Sequence, residues 1–156
     1  MVLGGWWGIG LGAEIYDLLV LGNAWGANPP ASLSLLPYGP HFPIDPGNFF
    51  QPLSAVMVVA VLGALISGWK TSRNYCVWLW IPVIAFAIIW IFTLTVFWSM
   101  IDQLWGISRG RIAASNAQAI ALVRRWFVYD SMRMVAIAVG FLASIRAISV
   151  PYPVRN

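Results

Sequence analysis

Charged side chains are scarce in this sequence, and their scarcity excludes an ordinary soluble domain. Only 9% of the 156 residues are charged and 60% are hydrophobic, whereas about a quarter of the residues in soluble domains are charged. The nine Lys and Arg residues are scattered along the chain. Because they form no basic stripe with interleaved aromatic residues, we expect no nucleic acid among the partners.

Histidine and cysteine each occur once, which limits the metal, haem and disulfide chemistry open to the chain. The single histidine, His41, leaves no histidine pair for copper, zinc, iron or a bis-histidine haem. Cys76 has no partner for an internal disulfide. We therefore expect no metal and no cofactor held by this chain alone. His41 lies in a proline-rich stretch and stays a candidate polar residue of a site formed there.

Four long apolar segments predict four membrane-spanning helices, at about residues 3–21, 52–69, 77–100 and 129–150. About 20 apolar residues cross a bilayer, and in lipid the backbone polar groups must be satisfied within a helix. Pro52 suits the first position of the second helix, with Gln51 before it as the cap. Residues 115–127 predict a further helix, capped by Ser115 or Asn116, that is interfacial or extends the fourth helix. The predicted fold is all-α, an integral membrane four-helix bundle with one domain over residues 1–156.

A long proline-rich loop, residues 24–50, joins the first two predicted helices and contains no Lys or Arg. The short connection over residues 70–75 carries Lys70 and Arg73. The positive-inside rule places this short connection and both termini in the cytoplasm and the long loop outside, in a cell (inner) membrane. A second set of arginines opposes this orientation because it falls on the outer side: Arg109, Arg111, Arg124 and Arg125.

Two acids, Glu14 and Asp17, lie inside the first apolar segment. Ionisable side chains at that depth normally face protein and have a partner. At about 1.5 Å per residue, Arg133 of the fourth helix lies at a matching depth, so we predict that it pairs with Asp17, Glu14 or both. Asp130, three residues earlier, can pair with Arg133 along the helix. Asp102, at the end of the third helix, falls in the same layer of the outer half of the bilayer.

This polar layer has two interpretations. It is either an ion-pair network that fixes the register of the helices, or a pocket for a ligand, proton or substrate. In the second case, two nearby carboxylates beside one arginine can hold one acid protonated and support acid–base chemistry.

The third helix has bulky aromatic residues on all sides and is predicted to face lipid.

Small residues line one side of the first predicted helix at Gly4, Gly8 and Gly12. Stripes of this kind let helix backbones approach closely in lipid. At about 100° per residue, the stripe lies roughly opposite the two acids. If the acids face the bundle of this chain, the stripe faces outward, where another membrane subunit, a second copy or a tightly held lipid can pack.

Three short motifs give the chain a family resemblance. They are the Gly-Ala-Glu-x-Tyr-Asp stretch at residues 12–17, the Phe-Phe-x-Pro-Leu stretch at residues 49–53, and the pattern Trp126-x-x-x-Asp130-x-x-Arg133. In these motifs and in helix order, the chain resembles the anthrone-oxygenase-like family of small four-helix membrane proteins, a domain-of-unknown-function family. The resemblance implies a cofactor-independent oxygenase of aromatic polyketides. Trp126 and Arg133 are the best-matched residues.

Two hypotheses of function follow. In the first, the protein binds or oxidises a hydrophobic aromatic small molecule in a pocket lined by Glu14, Asp17, Asp130 and Arg133. In the second, it is a non-catalytic accessory subunit that packs into a larger membrane complex through its glycine stripe. Whether the protein is an enzyme stays open on the sequence alone.

Overall fold

The computed structural model describes residues 2–37, 42 and 44–150, which form four long helices and, within these ranges, no strand. The first helix covers residues 2–26, as α-helix at Val2–Tyr16, π-helix at Asp17–Gly22 and α-helix again at Asn23–Gly26. The second helix is Pro46–Gly68. The third is Arg73–Ser108, with a π-helical segment at Thr93–Phe97. The fourth is Asn116–Ser149. His41 lies outside the described residues.

Three of the four helices, the second to the fourth, are long and apolar enough to cross a membrane. The first helix begins with an uninterrupted α-helical run of 15 residues and then passes into the π-helical segment that Asp17 opens. The first helix therefore combines a regular α-helical part with a widened turn.

The second helix begins at Pro46, so the predicted start at Pro52 with Gln51 as cap is wrong. Asp45 is the cap, because its Oδ1 accepts a hydrogen bond from the Asn48 backbone N–H at 3.1 Å. The Asn48 Oδ1 in turn accepts one from the Asp45 N–H at 2.8 Å. This reciprocal capping box gives a partner to two backbone N–H groups that have none within the helix. Pro46 meets the preference for proline in the first turn. Pro52 lies inside the helix.

The fourth helix is a single element of 34 residues that joins the two segments predicted at residues 115–127 and 129–150. The predicted cap at Ser115 is confirmed: its Oγ accepts a hydrogen bond from the Gln118 N–H at 3.3 Å. The Gln118 Oε1 accepts one from the Ser115 N–H at 2.8 Å. No separate interfacial helix is present in this part of the described chain, because the helical hydrogen bonds continue from Asn116 to Ser149.

The helices form a ring in the order first, fourth, third, second. The fourth helix packs along the first and the third, and the second helix packs against the first and the third. We call the end of the bundle that carries residues 27–37 and 44–45 the long-loop end, and the end that carries residues 69–72 the short-turn end. Two apolar layers fill the interior, one centred on Trp7, Met57 and Ile137, and one nearer the long-loop end that includes Trp25 and Trp126.

The first part of the long loop folds back onto the bundle. A 3-10 helix at Ala31–Leu35 buries Leu33 completely, and Leu36 is buried beside it. The Ser108 hydroxyl donates a hydrogen bond to the Leu33 carbonyl at 2.9 Å, which ties the loop to the end of the third helix. This part of the loop therefore closes the apolar layer at the long-loop end.

Candidate functional site

Arg133 lies between the two apolar layers and contacts three other helix residues. Its Nε donates a hydrogen bond to Glu14 Oε1 at 2.7 Å, which confirms the predicted pairing across the first and fourth helices. Its Nη2 is 2.6 Å from Asp130 Oδ1, the ion pair predicted at i, i+3. The guanidinium carbon lies 4.3 Å from the centre of the Phe97 ring, a cation–π distance. Arg133 thus connects the first, third and fourth helices.

Three buried carboxyl groups lie around this one guanidinium. We call Glu14, Asp17, Asp130 and Arg133 the polar cluster. The exposed fractions of the acids are 1% for Glu14, 6% for Asp17 and 0% for Asp130. Arg133 pairs with Glu14 and Asp130, whereas Asp17 has no side-chain ion pair or hydrogen bond to any other described residue. The cluster therefore places three carboxyl groups beside one guanidinium, away from water.

Both π-helical segments adjoin the polar cluster. Asp17 opens one of them, and Phe97 closes the other. A π turn adds a residue to the helical repeat and shifts the faces that follow it, and such turns occur frequently at functional sites. In the first helix, the widened turn buries the adjacent residues Asp17 and Leu18 together. The two segments thus set which side chains face Arg133.

A cavity of about 730 Å³ opens between the four helices beside the polar cluster. Its walls are mostly apolar and are rich in aromatic rings, among them Trp7, Phe50, Phe86, Trp90 and Trp98. Glu14, Asp17 and Arg133 also line it and supply its polar part. The volume falls in the range of about 300–1,000 Å³ typical of small-molecule sites.

Two indole N–H groups at the cavity have no hydrogen-bond acceptor among the described residues. They are Trp7 Nε1 and Trp126 Nε1, and each residue is 2% exposed. Trp126 is held by neighbouring rings, with centroid distances of 4.7 Å to Trp25 and 6.2 Å to Phe97. Buried indole N–H groups usually find a partner. Both residues line the cavity, so a bound molecule with an acceptor oxygen or nitrogen can supply one.

The third helix does not face lipid on all sides, contrary to the sequence-based prediction. Phe97 is only 4% exposed and lies under Arg133. Phe86 packs edge-on against Trp7, with ring centroids 6.5 Å apart. Composition missed this arrangement because one helix with aromatic residues on every face gives no periodic signal for the side that packs inward.

The remaining predicted residues divide between the bundle and its surface. Asp102 is exposed and does not join the polar cluster, although the depth argument placed it in the same layer. A side-chain carbon added at Gly4 would lie 3.4 Å from Ile145, and one added at Gly8 would lie 3.3 Å from Phe141. These two glycines therefore face the fourth helix of the same chain. Of the three glycines of the stripe, only Gly12 meets open space.

The prediction that the glycine stripe faces outward is therefore wrong at Gly4 and Gly8. The sequence argument put the stripe opposite the acids and hence outside the bundle. In the structure, the fourth helix packs along a broad side of the first helix and contacts residues on both of these faces. The accessory-subunit hypothesis loses its structural premise at Gly4 and Gly8.

Within the described ranges, no group of three or more His, Cys, Asp or Glu side chains is arranged to hold a metal ion. Comparison of the chain with family models, with curated proteins and with solved structures found no match.

Proposed function

We propose that the protein is an integral membrane four-helix bundle that binds a hydrophobic aromatic small molecule in the cavity beside the polar cluster. The observation that carries the proposal is the cavity itself: about 730 Å³, mostly apolar walls, and three of the four polar-cluster residues at one side. Small-molecule sites combine a hydrophobic, aromatic wall with a few convergent polar groups that fix the orientation of the ligand.

The proposed placement in the membrane rests on the apolar helices. The second, third and fourth helices have the length and composition to span a bilayer. We place the short-turn end and both termini in the cytoplasm, because the short turn carries Lys70 and Arg73, and Arg146 extends toward it within 5.9 Å of the Trp78 ring. The arginines nearer the other end oppose this orientation, so it rests on the short turn: Arg109, Arg111, Arg124 and Arg125. The polar cluster then lies in the outer half of the bilayer, and the ligand reaches the cavity from lipid.

Oxidation of the bound molecule by O₂ is the reaction implied by the resemblance to anthrone-oxygenase-like proteins, and we include it in the proposal. The supporting feature is the position of buried carboxyl groups at an aromatic wall, where a carboxylate can accept a proton from a bound carbon or oxygen acid. Oxygen uptake with an anthrone-type substrate, lost in Glu14→Gln while the variant still binds the substrate, tests this step separately from binding.

The binding proposal is tested with the full chain in nanodiscs and the neutral aromatic probe 2-naphthylmethanol. Quenching of tryptophan fluorescence reports binding, with empty nanodiscs as background. Ser54 lines the cavity from the second helix, so Ser54→Trp fills part of the volume. Val59, on the same helix, is 71% exposed, and Val59→Trp is the matched control.

We expect saturable binding in the wild type and in Val59→Trp, and at least about tenfold weaker binding in Ser54→Trp, equivalent to roughly 1.4 kcal/mol. The steric reason is that the indole ring occupies the space of the probe. Equal affinity in all three proteins, or no saturable binding in the wild type, contradicts the proposal.

A further inference from the structure

We propose that the molecule bound in this cavity carries a protonated amine next to its aromatic body, with the Asp17 carboxylate as the counter-ion. This inference rests on the proposed binding function and does not depend on the proposed oxidation. It assigns the polar side of the cavity to a monocation, and it gives Asp17 a role distinct from that of Glu14.

The charges of the polar cluster provide the first argument. Arg133 forms ion pairs with Glu14 at 2.7 Å and with Asp130 at 2.6 Å, and its charge acts on Asp17 only from a longer distance. Asp17 has no ion pair or hydrogen bond among the described residues, is 6% exposed and lines the cavity. An uncompensated buried carboxylate is costly. A cation in the cavity next to Asp17 removes that cost.

The aromatic walls provide the second, independent argument. Trp90, Trp98 and Trp126 all line the cavity, and indole is the ring that attracts cations most strongly. A protonated amine is a compact donor that can face both a carboxylate and the face of an aromatic ring. It accepts no hydrogen bond, so the acceptor for the Trp7 and Trp126 N–H groups has to come from another part of the same molecule. The same rings form apolar contacts with the body of the ligand.

An anion fits this cavity poorly, and a neutral molecule leaves its charge unbalanced. Among the described residues that line the cavity, Arg133 is the only basic one, and it already contacts two carboxyl groups. An anionic ligand therefore meets a surplus of negative charge. A neutral ligand fills the apolar volume and adds no counter-charge next to the Asp17 carboxylate.

Three probes that share one aromatic body and differ in charge test the proposal: 2-naphthylmethylamine, which is protonated at neutral pH, 2-naphthylmethanol and 2-naphthoate. Binding to the full chain is measured in nanodiscs of zwitterionic lipid, with empty nanodiscs subtracted. We expect the amine to bind about tenfold more tightly than the alcohol, as ion-pair and cation–π contacts in a desolvated site allow. Naphthoate is expected to bind most weakly.

The variants assign the preference to one carboxylate. Asp17→Asn keeps the shape of the side chain and removes its charge, so the ratio of alcohol to amine dissociation constants is expected to fall to near one. Asp102→Asn is the matched control, since Asp102 is an exposed acid outside the cavity lining, and the wild-type ratio is expected to persist.

Each contrary outcome has a definite meaning. Equal binding of amine and alcohol by the wild type overturns the amine assignment and leaves the proposed binding function standing. Failure of all three probes to bind overturns the binding function and this inference with it. An amine preference that survives in Asp17→Asn removes Asp17 as the counter-ion. If Asp17→Asn does not fold, the order of the three probes in the wild type still decides the charge preference.

Discussion

Replacing Arg133 by methionine tests whether the polar cluster holds the first and fourth helices together. Methionine keeps an unbranched apolar stem over Phe97 and removes the guanidinium. Glu14 and Asp130 then lose a cation at 2.7 Å and 2.6 Å, respectively, while both stay buried. Removing one partner of a buried ion pair typically destabilises a protein by about 3–5 kcal/mol. We expect a loss at the lower end, about 3 kcal/mol, because the acids can take up protons in the variant.

Glu14→Gln is the contrasting change at the same contact. Its amide oxygen can still accept the hydrogen bond from Arg133 Nε, and the substitution lowers the surplus of buried negative charge. We expect a loss of about 1 kcal/mol, the difference between a charge-assisted and a neutral hydrogen bond. In the triple variant Arg133→Met/Glu14→Gln/Asp130→Asn, the unpaired acids are gone. We expect it to regain at least about 1 kcal/mol relative to Arg133→Met alone.

The free energy of unfolding is measured by titration with SDS in mixed micelles, followed through the fluorescence of buried tryptophans such as Trp7 and Trp126. The reasoning is refuted if Arg133→Met lies within about 1 kcal/mol of the wild type, the size of an average surface ion pair. It is also refuted if the triple variant is less stable than Arg133→Met, since the loss then has another origin than unpaired acids.

Two further predictions concern local packing and capping. A side-chain carbon at Gly140 would lie 2.5 Å from the Trp7 ring, so Gly140→Ala is expected to lower the free energy of unfolding by about 2 kcal/mol or more. Gly12 meets open space, so Gly12→Ala is expected to be neutral or stabilising by up to about 1 kcal/mol in the same SDS titration. Equal effects of Gly140→Ala and Gly12→Ala would contradict the packing. Ser115→Ala removes the cap of the fourth helix and is expected to lose about 1 kcal/mol. The control is exposed Ser149→Ala, which removes only a hydrogen bond to the Ile145 carbonyl of the same helix and is expected to change stability by less than about 0.5 kcal/mol.

Local sequence signals predicted the helices but not all of their ends. Ser115 was predictable as a cap because Gln118 stands three residues later and completes a capping box. The start of the second helix was missed because Asp45 and Pro46 lie in a proline-rich stretch that opposes regular structure. The capping box with Asn48 outweighed that composition. For residues 115–127 the sequence left open an interfacial helix or an extension of the fourth helix, and the structure shows the extension.

The sequence also predicted one contact between distant residues. Glu14 and Arg133 had to find partners inside the bundle because an isolated charge in an apolar segment is unfavourable. Counting residues from the ends of the two helices placed Asp17 and Arg133 at similar depths, with Asp17, Glu14 or both as the predicted partners, and the ion pair forms with Glu14. The same count placed Asp102 in that layer, but depth does not fix rotation about the helix axis, and Asp102 is exposed.

By itself, the sequence determined the helical class, the number of long helices and the need for buried acids to meet an arginine, since all three follow from hydrophobicity and charge along the chain. Only the tertiary structure decided which faces meet. The π-helical turns at Asp17 and Thr93 change the rotation of the residues beyond them, and no residue pattern announces such a turn. The side of the first helix against which the fourth helix packs, and the cavity left between the four helices, depend on the shapes of side chains from several elements at once.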